Sequence, residues 1–387
     1  MKRIAIWASV VAVLGMASSS TALVGDGADP STGSYGYVVT MISPAIYKNA
    51  DELDCPEGMA NTLTEAYLAT QTPAERVRLQ LPENVQELDR KRLATIKDAK
   101  GRDICVDPEV FNHPPQRQTQ SKVAYGLDLD GRDGGPPAPN TCAHQNFRGP
   151  NGETGIDNEY FRAVACNRFF RGKGDGIGDQ INGYRRLWSM GINTAVIMLR
   201  GVDDFRDDDH VEIMIASSPE APPVDPAMKI VDGGSFAITP NPRWRNLGTG
   251  RIRNGVLTTD PMDMNIFIHW SFIDGEMNLK RARFQLNIQP DGSLKGIVGA
   301  YRPVSNAADR NRGGGLGGVA RAANLECAAI YLTYKLLADG DRDPKTGQCA
   351  SISIAMDVAA IPAFLFDRGV MVAGRPRGAI KTAAKRP

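Results

Sequence analysis

Four loops of this chain concentrate carboxylates. GLDLDGRDGG carries Asp128, Asp130 and Asp133 among glycines, and GKGDGIGDQ carries Asp175 and Asp179. VDDFRDDDH carries Asp203, Asp204, Asp207, Asp208 and Asp209, and ADGDRDPKTGQ carries Asp339, Asp341 and Asp343 at alternate positions. Calcium takes six to eight hard oxygen ligands around one point, and alternating aspartates in a curved loop can supply several of them. Asp128, Asp130, Asp339, Asp341 and Asp343 are therefore the expected metal ligands, and calcium, as a structural ion, is the cofactor this pattern admits. The 339–350 stretch is not an EF-hand, since Pro344 stands where the sharp turn wants Gly and Ala350 where the bidentate Glu belongs. The competing reading for each loop is a solvated turn, most strongly for the acidic run at 203–209.

TCAHQNFRGPNGETGIDNEYFRAVAC, residues 141–166, raises a related question. Asn151, Asp157 and Asn158 can cap turns and helix ends in a stapled loop. Alternatively, oxygens of this loop join Asp128 and Asp130 around one calcium. His144 follows Cys142 by two residues, so a bridge at that cysteine would fix its backbone. It is assigned with Trp244, in NPRWRN, to a candidate ligand surface.

Other chemistries find less support. The four histidines, His113, His144, His210 and His269, form no HExxH or His-x-His pair, so zinc has no motif. No G-x-S-x-G elbow is present. Gly313-x-Gly315-x-x-Gly318 matches a dinucleotide fingerprint, but no strand precedes it, so no nucleotide is expected. The absence of C-x-x-C-H excludes c-type haem attachment. A glycan-acting hydrolase needs only two carboxylates at a fixed separation, which spacing along a chain does not reveal.

The compartment reads from the ends and the cysteines. Lys2 and Arg3 precede an apolar run from Ile4 to Met16, and Ser20-Thr21-Ala22 supplies small residues, which makes residues 1–22 a signal peptide. No later run is long and apolar enough for a membrane-spanning helix. Cys55, Cys105, Cys142, Cys166, Cys327 and Cys349 are an even set in an exported chain, which implies disulfides. Six cysteines allow fifteen pairings. Loop-closure entropy favours neighbours, giving Cys55–Cys105, Cys142–Cys166 and Cys327–Cys349. The net charge of +1 gives no field that would draw nucleic acid. The expected location is periplasmic or extracellular.

The elements that must position these residues are mixed. Tyr35–Ile42 reads as a strand, and Thr62/Glu65 and Thr72/Glu75 have capping-box spacing. Residues 195–199, 211–216, 266–273, 282–288 and 294–301 read as strands, the last two joined by the hairpin signal QPDGS. The spacing predicts an α+β fold: a mostly antiparallel, sandwich-like β core flanked by N- and C-terminal helical segments. Its expected parts are 23–105 with a strand and helices, 106–318 as the β-rich core with the stapled loop, 319–370 as a helical region packed on the core, and 371–387 as a basic disordered tail.

Leu127-Asp128-Leu129-Asp130-Gly131, Cys142-Ala143-His144, Gly155-Ile156-Asp157-Asn158, Cys166 and the late Asp339–Gly347 stretch resemble segments of an uncharacterised family of secreted bacterial proteins. The resemblance covers roughly residues 120–360; it implies export and one integrated fold, and supplies no catalytic residue. The expected function is an exported, disulfide-stabilised binding or structural protein, with an envelope component or glycan as the candidate ligand. The alternative is a secreted glycan hydrolase using an Asp/Glu pair.

Overall fold

The computed structural model describes residues 33–48, 54–111, 113–171, 194–227, 229–270, 273–307, 324, 326–367 and 370–373. The expected signal peptide, Asp175, Asp179, the glycine run at 313–318 and residues 374–387 of the expected tail lie outside them, whereas residues 371–373, expected in the disordered tail, pair with Leu365 and Phe366 in a strand.

Twelve strands are present among the described residues: β1 (Tyr35–Pro44), β2 (Ala195–Arg200), β3 (Asp208–Ser217), β4 (Ser235–Ala237), β5 (Arg245–Arg253), β6 (Val256–Thr259), β7 (Met262–Trp270), β8 (Ile273–Ile288), β9 (Leu294–Pro303), β10 (Gly340–Arg342), β11 (Cys349–Asp367) and β12 (Val370–Ala373). Eight of them, in the order β1-β2-β3-β5-β6-β8-β9-β11, form an antiparallel sheet, and β1 also pairs with β11. The sheet therefore closes on itself. The core is a barrel, not the expected sandwich, and closure leaves these strands no free edge to protect.

Local chemistry explains the hairpins. Asn254 and Gly255 both have positive φ, 49° and 77°, in the two-residue turn that joins β5 and β6; this is the conformation whose twist matches the flanking strands. QPDGS makes the β8–β9 connection, with Gly292 at φ 81°.

Alternation divides the barrel walls between two cores. Ile197, Leu199, Val211, Ile213 and Ile215 belong to the main cluster, while Val196, Met198, Met214 and Ala216 join a second one that includes Phe236 of β4. The C-terminal half of the expected helical region at 319–370 is instead β11, 19 residues long. Its near-continuous apolar run hides the period of two because both faces are covered: Ile352, Ile354, Met356 and Val358 enter the main core, and Ala363 and Leu365 the second.

Helices Leu63–Ala69, Pro73–Leu79 and Val85–Ala94 form the N-terminal layer. The first has the full capping box between Thr62 and Glu65. Helix Cys327–Leu336 is the C-terminal one.

The disulfides are Cys55–Cys166, Cys105–Cys327 and Cys142–Cys349, so none of the neighbour pairings occurs. Each spans more than a hundred residues. Loop entropy ranks pairings of a featureless chain. Here the barrel closes between its first and its last strands, and that topology brings distant cysteines together. Three disulfides fit an oxidising compartment.

Candidate cation site

The site lies where the loop at 125–158 covers the outside of β9 and the start of β11. Leu127 pairs with Asp157, and Phe147 with Ile156, in isolated antiparallel bridges. Arg283 of β8 fastens the loop to the barrel: its two terminal nitrogens donate to the carbonyls of Asp128 and Leu129, both at 2.9 Å. Gly299 of β9 leaves room for the loop, since a Cβ there would lie 3.0 Å from Leu129 Cδ2.

Asp157 organises the turn. Its Oδ2 accepts from the amides of Leu129 at 2.7 Å and Asp130 at 3.2 Å. Asp128 Oδ1 accepts from Gly131 at 2.6 Å and Arg132 at 3.2 Å, and Asp130 Oδ1 from Arg132 at 3.0 Å. These bonds fold the chain tightly enough that Asp128, Asp130 and Asp157 each offer an oxygen within 4.8 Å of the others. Gly155, at φ 70°, forms the floor, where a Cβ would sit 2.8 Å from the Arg132 carbonyl oxygen and 3.2 Å from Asp128 Oδ2.

Among the described residues no lysine or arginine side chain pairs with any of the three. Burial, together with the neighbouring charges of Asp157 and Asp130, raises the Asp128 carboxyl above its ordinary value. A bound cation would reverse that penalty.

Behind Asp157 stands His144. Its Nε2 lies 2.6 Å from Asp157 Oδ1 and its Nδ1 3.0 Å from the Cys142 carbonyl oxygen. Both nitrogens face acceptors, which is the arrangement of an imidazolium. Burial works against the charge, but the Asp157 hydrogen bond, the Asp339 charge and the Cys142 carbonyl outweigh it and push the pKa up to about 10. Asn146 Nδ2 also donates to Asp157 Oδ1, at 3.0 Å.

Asp339 and Asn158 complete a strand edge. β10 leaves β11 at Ser351 and β1 joins it at Met356. In the gap, the amide of Ser353 donates to Asp339 Oδ1 at 2.7 Å and that of Ala355 to Asn158 Oδ1 at 3.3 Å. Asp339 Oδ2 is buried, has no hydrogen bond, and lies 4.0 Å from His144 Nδ1. Burial and the charge of Glu159 raise its pKa to about 7 against the pull of Ser353 and His144. The sign follows. Between the ordinary value of 3.8 and about 7 the folded state holds a proton that the unfolded chain has lost, so this group makes stability fall as pH rises through that window. Asp339→Asn is expected to gain on the wild type in stability between pH 4.5 and 7, read as the difference of urea midpoints at the two pH values.

The expected ligands thus divide. Asp128 and Asp130 converge, and Asp157, first read as a helix cap or a loop oxygen, joins them. The cap of helix Glu159–Val164 is Asn158, whose side chain accepts from Phe161. Asp339, Asp341 and Asp343 do not form a second cluster. Asp341, at φ 54°, turns to the Ser351 hydroxyl and to Lys280 Nζ at 3.1 Å, and Asp343 accepts from the Lys345 amide at 2.7 Å. Each carboxylate is used by a local donor.

Trp244 sits apart, at the end of the short 3-10 turn Pro242–Trp244 that leads into β5, and packs against β7. Its ring lies 4.5 Å from that of Phe267, and its Nε1 donates to Glu276 at 2.9 Å, so its indole nitrogen is already engaged. Two residues gave no sequence signal, Tyr301 and Arg281. The buried Tyr301 hydroxyl has no hydrogen bond and feels the charges of Asp339, Asp157, Arg281 and Asp130. Arg281, at φ 51° in a bulge of β8, holds its guanidinium carbon 4.2 Å from the Tyr301 ring centre. Only the β8–β9 register brings them here.

No known protein family matches the chain, and no curated protein or solved structure does either.

Proposed function

We propose that this chain is an exported, disulfide-stapled binding or structural protein of the bacterial envelope. One divalent cation, calcium, held by Asp128, Asp130 and Asp157, fixes its loop cap. The observation that carries this reading is the convergence of three carboxylate oxygens within 4.8 Å whose one cationic side-chain partner among the described residues is His144, on Asp157 Oδ1. Hard oxygen donors in a glycine-bent loop suit calcium better than the nitrogen- and sulfur-seeking metals. The signal-peptide pattern and the three bridges support export. The resemblance to secreted bacterial proteins, carried by segments between Leu127 and Cys166 and by the 339–347 stretch, supports export as well.

The hydrolase reading has less support. Asp157, Glu159 and Asp339 are the deepest carboxylates near the site, at 0%, 2% and 1% exposure. An acid/base pair must reach a glycosidic oxygen and a water, and these are sealed from both.

The test is thermal unfolding of the oxidised protein in calcium and in chelator. Calcium at a hundred times its dissociation constant should add about 2.7 kcal/mol. Asp128→Asn should abolish the shift. An unchanged melting temperature across millimolar calcium would return the loop to solvent.

A further inference from the structure

A second feature lies at the other end of β9 and β11. Along β11, six residues separate Ser353, beside the cation site, from Ala359, which is about 20 Å of extended chain. There the outer wall of the barrel opens into a groove of about 620 Å³ between β1, β9, β11 and the loop that carries Lys229 and Ile230. Three features make the groove. β1 bulges between Val39 and Met41, and the intervening Thr40 donates its hydroxyl to the Ala359 carbonyl at 3.2 Å. Gly296 of β9 contributes no side chain. The loop is pinned against the wall by the amide of Gly233, which donates to the Pro362 carbonyl at 3.1 Å, and by the Val224–Ile230 bridge. Bulges of this kind recur beside binding sites, where they re-aim the wall.

The floor is aliphatic, with Ile230, Ala359 and Ile361 among its residues, except for one carboxylate. Asp357 faces outward from β11 between Ile297 of β9 and Ser43 of β1. Among the described residues its carboxylate makes no hydrogen bond or ion pair. Burial alone pushes its pKa up to about 6. The charged groups that line the groove with it are Lys229 from the loop and Lys295 from β9, and neither forms an ion pair with it. A wall position that needed only to fold would be served by an apolar or a fully solvated residue. A half-sunken, unpartnered carboxylate with two lysines on the same groove, Lys229 and Lys295, neither of them hydrogen-bonded through its ammonium group among the described residues, is complementary to a ligand that carries both signs.

We infer that this groove binds a small zwitterion with an aliphatic body, an amino acid or a short peptide. Asp357 takes the ammonium, Lys229 and Lys295 take the carboxylate, and Ile230 and Ile361 cover the apolar part.

This site shares no side chain with the cation loop, so calcium binding can fail without touching it. The experiment is isothermal calorimetry on the oxidised full chain at pH 7.5, with L-leucine as the probe and n-hexylamine and hexanoate as controls. Leucine is expected to bind with a dissociation constant below about 1 mM. Asp357→Asn should weaken it roughly tenfold or more, the usual cost of a lost charge-assisted hydrogen bond. Lys295→Ala should weaken it less, and both variants should melt as the wild type does. Wild-type affinity should fall as pH drops from 7.5 to 5, when Asp357 takes up its proton, and the Asp357→Asn protein should not follow. No heat from leucine at about 10 mM overturns the proposal. So does leucine binding that Asp357→Asn leaves unchanged, or either control binding as tightly as leucine.

Discussion

Arg171→Ala is expected to lower the unfolding free energy by about 3–5 kcal/mol. Arg171 ends the short helix Arg168–Arg171 and is 1% exposed. Its Nη1 and Nη2 reach Asp54 Oδ2 and Oδ1 at 2.6 and 2.7 Å, a two-pronged pair with both partners sealed from solvent. The neighbouring residue, Cys55, is bridged to Cys166, so the pair and the bridge hold the start of the N-terminal layer against the barrel side at one point. Truncating the arginine leaves Asp54 buried without its counter-charge, and that orphaned charge is the main cost. The cause is separable from lost packing. The double variant Asp54→Asn/Arg171→Met removes both charges while keeping most of the volume, and should lose much less than Arg171→Ala. Urea unfolding of the wild type, Asp54→Asn, Arg171→Met and the double variant measures the coupling directly. If the double variant is as weak as the single one, packing and not charge holds this corner.

Most strands were legible in the sequence, because alternation survives wherever a strand has one buried face. β2, β3 and β9 begin or end within a few residues of their apolar runs. The Thr62–Glu65 box was legible because capping is a three-residue contract between side chains and their own backbone. Closure was not legible. It depends on β1 finding both β2 and β11, a pairing across more than three hundred residues that no local pattern encodes. β11 hid its nature for the opposite reason, since two cores cover it and its polar face disappears. The candidate cation site was half legible. Asp128 and Asp130 announce themselves by alternation in a glycine loop, but Asp157 lies 27 residues beyond Asp130 and resembles a helix cap. Spacing could not separate a carboxylate that caps its own helix from one that turns back to bind the amides of another loop. The alternate aspartates at 339–343 show the converse: a ligand-like pattern used instead to complete a strand edge and a turn.

The double variant Cys142→Ser/Cys349→Ser is expected to lose about 4 kcal/mol and, with it, most of the calcium affinity. With the other bridges intact, the shortest loop this disulfide closes runs through Cys105–Cys327 and holds about 60 residues, for which the chain-entropy relation gives that figure. The coupling to the ion has a structural path. The Cys142 amide donates to the Asp339 carbonyl at 2.8 Å, its own carbonyl accepts from His144, and His144 in turn grips Asp157. Of the three proposed ligands, Asp157 is the one that also orders the amides of Leu129 and Asp130. Releasing Cys142 frees the histidine, which frees the carboxylate that shapes the loop. Cys55→Ser/Cys166→Ser, which leaves this path intact, should cost a comparable amount of stability yet retain the calcium-dependent melting shift. Measuring both double variants in calcium and in chelator separates a bridge that only shortens the unfolded chain from one that also builds the site. Equal calcium shifts in the two would show that the 142–349 bridge is a staple alone.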